Sequence, residues 1–169
     1  EARDRVRDLR SHGSESGPLD VALRALAAVY ATEHTVPVIV TVHADLRHLD
    51  HLVCDELYGI AREAVHNATT HADASRIDVE LRLEAGDLVL SVRDDGRGID
   101  EGVLRDGRDG HWGLRGIRER AHVVGAVAAI SSRLDGGTEV AVRVPAERAF
   151  PGYHTPLRRW WRRVRGALR

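Results

Sequence analysis

Glu63, Asn67 and His71 stand four residues apart in the stretch REAVHNATTHADAS at 62–75. On a helix that spacing puts them along nearly one face. A carboxylate, an amide and an imidazole in line suit a divalent cation and phosphate oxygens. Asn offers the neutral oxygen that Mg2+ takes while it keeps several waters. Glu can orient or deprotonate a hydroxyl, a water or an imidazole. The plainer explanation is a solvated stripe on a surface helix, although Arg62 and His66 already supply a wet face. A second group is Asp94-Asp95-Gly96-Arg97-Gly98-Ile99. An acid at a strand end can accept hydrogen bonds from a ligand amine, and glycines let the backbone approach a ligand closely. The plainer explanation there is an Asp-Gly hairpin turn.

These residues need elements to position them. From Asp50, a helix cap, apolar positions Val53, Leu57, Ile60, Ala64, Val65 and Ala68 form a core stripe that predicts a long helix to about residue 72. DLVLSVRD at 87–94 alternates as a half-buried strand does and delivers Asp94 into the turn. RIDVELRLE at 76–84 alternates too, and Ala85-Gly86 joins the two as a hairpin. Upstream, Pro18 starts a helix through Leu23, Leu26 and Tyr30, and VPVIVTVH at 36–43 reads as a strand. Downstream, 96–116 holds seven of the sixteen glycines, a long loop of the kind that tends to be functional. A helix at about 114–124 and strands at 126–132 and 138–145 follow, the strands flanking the turn Arg133–Gly137. The order α-β-α-β-β-α-β-β predicts an α+β fold: a two-layer α/β sandwich with helices on one face of a mixed, mostly antiparallel sheet.

Composition bounds the reading. The 169 residues make one domain with appendages. A formal net charge of −1 gives no global field for nucleic acid, so no nucleic-acid partner is expected. A single cysteine, Cys54, excludes an intrachain disulfide and suits a reducing, cytoplasmic compartment. No apolar run reaches the roughly 18 residues of a membrane span. The chain has no methionine, even at position 1, and reads as a piece of a longer protein whose parent is compatible with an inner-membrane anchor. All its cationic side chains of the Lys/Arg type are arginine, so phosphate contacts fall to Arg, backbone or hydroxyl.

The runs at 62–75, RDDGRGI at 93–99, GHWGLRGIRERA at 110–121 and GGTEV at 136–140 together resemble the ATP-binding domain of sensor histidine kinases in the GHKL ATPase superfamily. The nearest likeness is to the nitrate-sensor-like branch with the third type of phosphoacceptor segment, over about residues 1–146. The resemblance implies the Bergerat-type fold, ATP and Mg2+. It makes Glu63 the residue that assists phosphotransfer and Asn67 the Mg2+ ligand, with His71 beside the nucleotide. Asp94 would accept the adenine amino group, with Gly96, Gly98 and Ile99 in the same glycine box. Gly110, Gly113, Leu114 and Gly116 would wrap the phosphates at a helix N-terminus, Thr138 would lie near the adenine, and 99–112 would be the ATP lid.

The same resemblance implies a protein histidine kinase that phosphorylates a histidine on a helical domain of the same protein. The phosphate then passes to an aspartate of a response regulator, and the full-length protein is a homodimer. Residues 1–17 read as the end of the dimerisation helix and a linker, 18–146 as the ATP-binding domain, and 147–169 as a flexible basic Trp/Arg-rich tail. As a helix the tail would be amphipathic, suited to an anionic membrane or an acidic partner. Two features depart from the family. Thr70 stands where many relatives carry Lys, and no phosphoacceptor motif is present: His12 has neither an acid beside it nor a helical frame. The piece is therefore expected to bind ATP without autophosphorylating alone. Competing readings are a GHKL-type serine kinase of the anti-sigma kind and a nucleotide-binding module without kinase activity.

Overall fold

Apolar alternation in IDVELRLE turns Ile77, Val79 and Leu81 inward and leaves Asp78, Glu80 and Arg82 on the opposite face. The computed structural model describes residues 17–34, 36–99 and 112–152, and within them this segment is a strand, Ile77–Glu84. In chain order the elements are α1 (Pro18–Glu33), β1 (Val38–His43), α2 (His51–His71), β2 (Ile77–Glu84), β3 (Asp87–Asp94), α3 (Trp112–Val123), β4 (Val127–Ser132), β5 (Thr138–Pro145) and the short α4 (Ala146–Ala149). The expected helix remnant and linker at 1–16, Gly110 with most of the 99–112 loop, and the tail from 153 lie outside the described residues.

The sheet has five strands in the order β1-β2-β3-β5-β4. β1 runs parallel to β2, and the other neighbours are antiparallel. The helices pack their apolar stripes on one face, where Leu19 and Leu23 of α1, Leu57 and Ile60 of α2 and Ile117 of α3 meet the inward strand residues. This is the expected mixed, mostly antiparallel two-layer arrangement.

β3 departs from its half-buried reading. It sits between β2 and β5, and Val89, on the face away from the helices, is only 1% exposed. Its cross-strand neighbours are Arg82 and Arg143. Both pair with Glu84, at 3.0 and 3.1 Å, and Arg82 also pairs with Glu80 at 3.0 Å. The aliphatic stems of these arginines roof the strand while their heads stay wet. The packed chain also runs past residue 146: Ala149 and Phe150 are buried in the core, and Asp50 N donates to Ala149 O at 2.8 Å.

Asp50 caps α2 as expected. Its Oδ1 accepts from Leu52 N at 2.9 Å and Val53 N at 3.2 Å, satisfying two of the helix's free amides. Because α2 carries Glu63, Asn67 and His71 at its other end, the cap fixes the start of the element rather than the site. Asp50→Ala is expected to lower unfolding free energy by about 1 kcal/mol in urea titrations. Nucleotide affinity should stay within about twofold of wild type, since the cap energy is lost far from the site.

Candidate functional site

A cavity of about 510 Å³ opens where the second half of α2, the end of β3, the start of α3 and the β4–β5 turn converge. α2 contributes Asn67 and His71, with the small Ala64 and Ala68 as an apolar wall between its polar positions. Glu63 stands beside the cavity, not in its lining. A methyl group at Gly113 would collide with Glu63 Oε1 and lie 3.0 Å from Asn67 Nδ2. The absence of a side chain at Gly113 therefore lets the first turn of α3 rest directly on Glu63 and Asn67. That turn carries the amides of Gly113 and Leu114, both in the cavity lining, and helix-start amides lack intrahelical partners. Gly116 lies farther along α3, does not line the cavity, and has open space where a Cβ would go.

Asp94 ends β3 and lines the cavity, only 7% exposed. Its Oδ1 accepts from Gly96 N at 2.9 Å and Thr138 N at 3.3 Å. Oδ2 has no partner among the described residues. Burial pushes the Asp94 carboxyl above the usual carboxylate range, against the two amides, which favour the charged form. Two glycines make this arrangement possible. At Gly96 a Cβ would strike the Ala72 carbonyl; at Gly137, with φ +78°, it would strike the Asp94 carbonyl. Gly96 is thus a packing residue behind the acid and is absent from the lining, whereas Gly98, with φ +72°, reaches it.

Asp95 does something else. It accepts from Ser75 N and Arg76 N at 2.8 and 2.9 Å and from Ser75 Oγ at 2.5 Å. These bonds, the Ser75 hydroxyl first, hold its carboxyl below the usual range. Thr138 and Ile99 both line the cavity, and one hydroxyl serves both: Ser132 Oγ accepts from Ile99 N at 2.7 Å and lies 2.9 Å from Thr138 Oγ1. Ser132 and Thr138 are register partners on β4 and β5. Sequence reasoning passed over Ser132, Arg97, Leu134 and Asp135. The last three line the cavity, and their one signal was membership of the Gly-rich turns that reading had marked.

The geometry thus joins Asn67, His71, Asp94, Gly98, Ile99, Gly113, Leu114 and Thr138 around one space, with Glu63 against its wall. An acceptor at one end, unpaired amides and an amide-carboxylate pair at the other, and apolar sides between them suit a flat base carrying a polyanion. Residues 53–148 match the family model described as histidine kinase-, DNA gyrase B-, and HSP90-like ATPase.

The chain belongs to this family.

Within the family it is similar to the ATP-binding catalytic domain of sensor histidine kinases. It is 30% identical over 148 residues to the nitrate/nitrite sensor protein NarX of Escherichia coli, covering 88% of this chain and 24% of that protein. It is 34% identical over 96 residues to the sensor protein VraS of Staphylococcus haemolyticus, covering 56% of this chain and 26% of that one. The chain therefore spans about a quarter of the length of these relatives. In fold it matches the histidine kinase domain of the Erythrobacter litoralis EL346 blue-light activated histidine kinase, with TM-score 0.66 and 22% identity over 85% of this chain and 70% of that one. The ATP-binding domain of PrrB from Mycobacterium tuberculosis aligns with TM-score 0.62 and 19% identity over 75% of this chain and 93% of that one.

The raised pKa of Asp94 carries a sign for stability. A carboxyl whose folded pKa lies above its unfolded value costs stability once ionised, and that cost disappears as pH falls through the folded value. Asp94→Asn keeps an oxygen for Gly96 N and Thr138 N and removes the buried charge. At neutral pH the variant without ligand is expected to melt at or above the wild-type temperature, and the difference should shrink on acidification. A clearly lower melting temperature at neutral pH would contradict the desolvation account.

Proposed function

We propose that this domain binds ATP with Mg2+ and delivers the γ-phosphate to a histidine on a helical domain of the same protein, for relay to an aspartate of a response regulator. The parent protein is then a homodimeric sensor histidine kinase whose catalytic part works in the cytoplasm. The observation that carries this reading is the Asp94 carboxylate: one oxygen is saturated by backbone amides, and the other has no partner among the described residues in a cavity walled by Val92, Val140 and Ala68. A buried acceptor beside apolar walls suits the exocyclic amine of adenine. Family membership and the likeness to sensor kinases support this reaction type.

The residues also fit the metal. Among the described residues no cluster of three or more His, Cys, Asp or Glu could cage a cation. Asn67 beside the Glu63 carboxylate is the smaller donor set that Mg2+ accepts when phosphate oxygens and waters complete its shell. Bound Mg2+ supplies charge neutralisation on the phosphate oxygens. The chain's own residues do the rest. Asp94 fixes the base and Thr138 and Ile99 flank it. The Gly113 and Leu114 amides receive phosphate oxygens at the start of α3. Glu63 orients the incoming imidazole and takes its proton.

Calorimetric titration with a non-hydrolysable Mg–ATP analogue tests the assignment. Wild type should bind. Asp94→Asn, which presents a donor to the adenine amine, should lose at least about tenfold in affinity, the scale of one buried unsatisfied contact. Asn67→Ala should lose mainly the Mg2+ dependence. No heat with wild type would overturn the nucleotide reading. Incubated alone with γ-labelled ATP, the chain should form no phosphohistidine; its appearance would show that the acceptor lies within these residues.

A further inference from the structure

Two residues whose side chains can carry positive charge lie near each other in the cavity lining. His71 ends α2, and Arg97 N donates to the carbonyl of the next residue, Ala72, at 2.8 Å. Both residues line the cavity, and among the described lining residues no other is basic. Arg97 is also held from its other side, since its carbonyl accepts from Asp135 N at 2.9 Å. The guanidinium is therefore carried on backbone tied to α2 and to the β4–β5 turn.

Charge gives this placement a purpose. Asp94 and Asp135 line the same cavity, and Glu63 stands beside it. A nucleotide polyphosphate entering there meets acids, and it needs compensating charge. The chain has no lysine to provide it. Arg76, Arg82, Arg120 and Arg143 are all committed to carboxylates elsewhere in the fold. Arg97 has no carboxylate partner among the described residues. Its five donors suit phosphate oxygens, which accept charge-assisted pairs from a guanidinium.

We propose that Arg97 is a phosphate-contacting residue, which with His71 forms an anion subsite at the α2 corner and engages the phosphate chain of the bound nucleotide. The inference rests on the ATP reading of the cavity and goes beyond it by assigning a residue and a part of the ligand.

Affinities for adenosine, ADP and ATP, each with Mg2+, measured on this chain as wild type, Arg97→Gln and Arg97→Lys, provide the test. Arg97→Gln should weaken ADP and ATP binding about tenfold, the low end for losing a charge-assisted hydrogen bond, and leave adenosine at its wild-type affinity. Arg97→Lys should recover part of the loss, and the loss should shrink at high salt. Equal weakening of all three ligands would place Arg97 on the base or in the scaffold and overturn the inference. So would unchanged ATP binding in Arg97→Gln. If wild type binds none of the three, the ATP reading itself fails, which is a separate result from wild-type binding that Arg97 does not influence.

Discussion

The desolvated carboxylate of Asp94 constrains much of the structure around it. An acid brought into a core must be paired or hydrogen-bonded. Here Gly96 N and Thr138 N do this from two directions. Each demands close backbone approach, and that decides where glycine must stand. Gly96 is pressed on the Ala72 carbonyl, and Gly137 on the carbonyl of Asp94 itself. The acid, the end of α2 and the start of β5 are thus locked together. Ile99 and Thr138 are added through the Ser132 hydroxyl. These bonds tie the backbone on this side together because a buried acid needs its donors in place.

On the opposite side the constraint is steric. α2 and α3 pack closely because each offers the other a glycine. Over Gly59 the Arg120 guanidinium crosses α2, within 3.1 Å of where a Cβ would lie, and reaches Glu56 at 2.9 Å. The Glu56 side chain is 17% exposed, so this pair is screened less than the exposed Arg115–Glu119 pair on α3. At the other end Gly113 rests on Glu63 and Asn67. One helix is therefore bolted by an ion pair and seated by a missing side chain, and the seat is where the polar residues of α2 lie. The register of α3 is coupled to the position of the Glu63 carboxylate.

Local chemistry was legible in the sequence. The Asp50 cap, the Ala85-Gly86 hairpin and the alternation of β2 each depend on residues close in the chain, and the structure has them where the pattern predicts. The site residues on α2 were legible because a 3.6-residue period projects them onto one face. Pairing between distant segments was not. The parallel placement of β1 beside β2 and the insertion of β5 between β3 and β4 leave no periodic mark. The burial of Val89 follows from that insertion, so its strand reads in sequence as half-exposed. Ser132 was missed for the same reason: a serine near a turn becomes a link only once β4 and β5 align it with Thr138. Phe150 follows a proline-ended strand and precedes a basic run, and only the packing of α4 shows it to be core.

Adjacent acids in the same turn carry opposite burdens. Asp95 is exposed, and its bonds to Ser75 and Arg76 tie the turn to the start of β2. Those bonds lower its pKa, so its contribution to stability is present above the ordinary carboxylate range and is lost as pH falls through the lowered value. Asp94 has the reverse sign, because burial outweighs its two amides. One carboxylate secures the turn, while its neighbour holds a charge in the cavity at a cost. Two identical side chains one residue apart point to opposite faces of an extended chain, and that alternation alone separates the roles. The two acids also repel, because the Asp95 charge raises the Asp94 pKa further, so the acceptor is held in the cavity by the Gly96 and Thr138 amides and not by its neighbour.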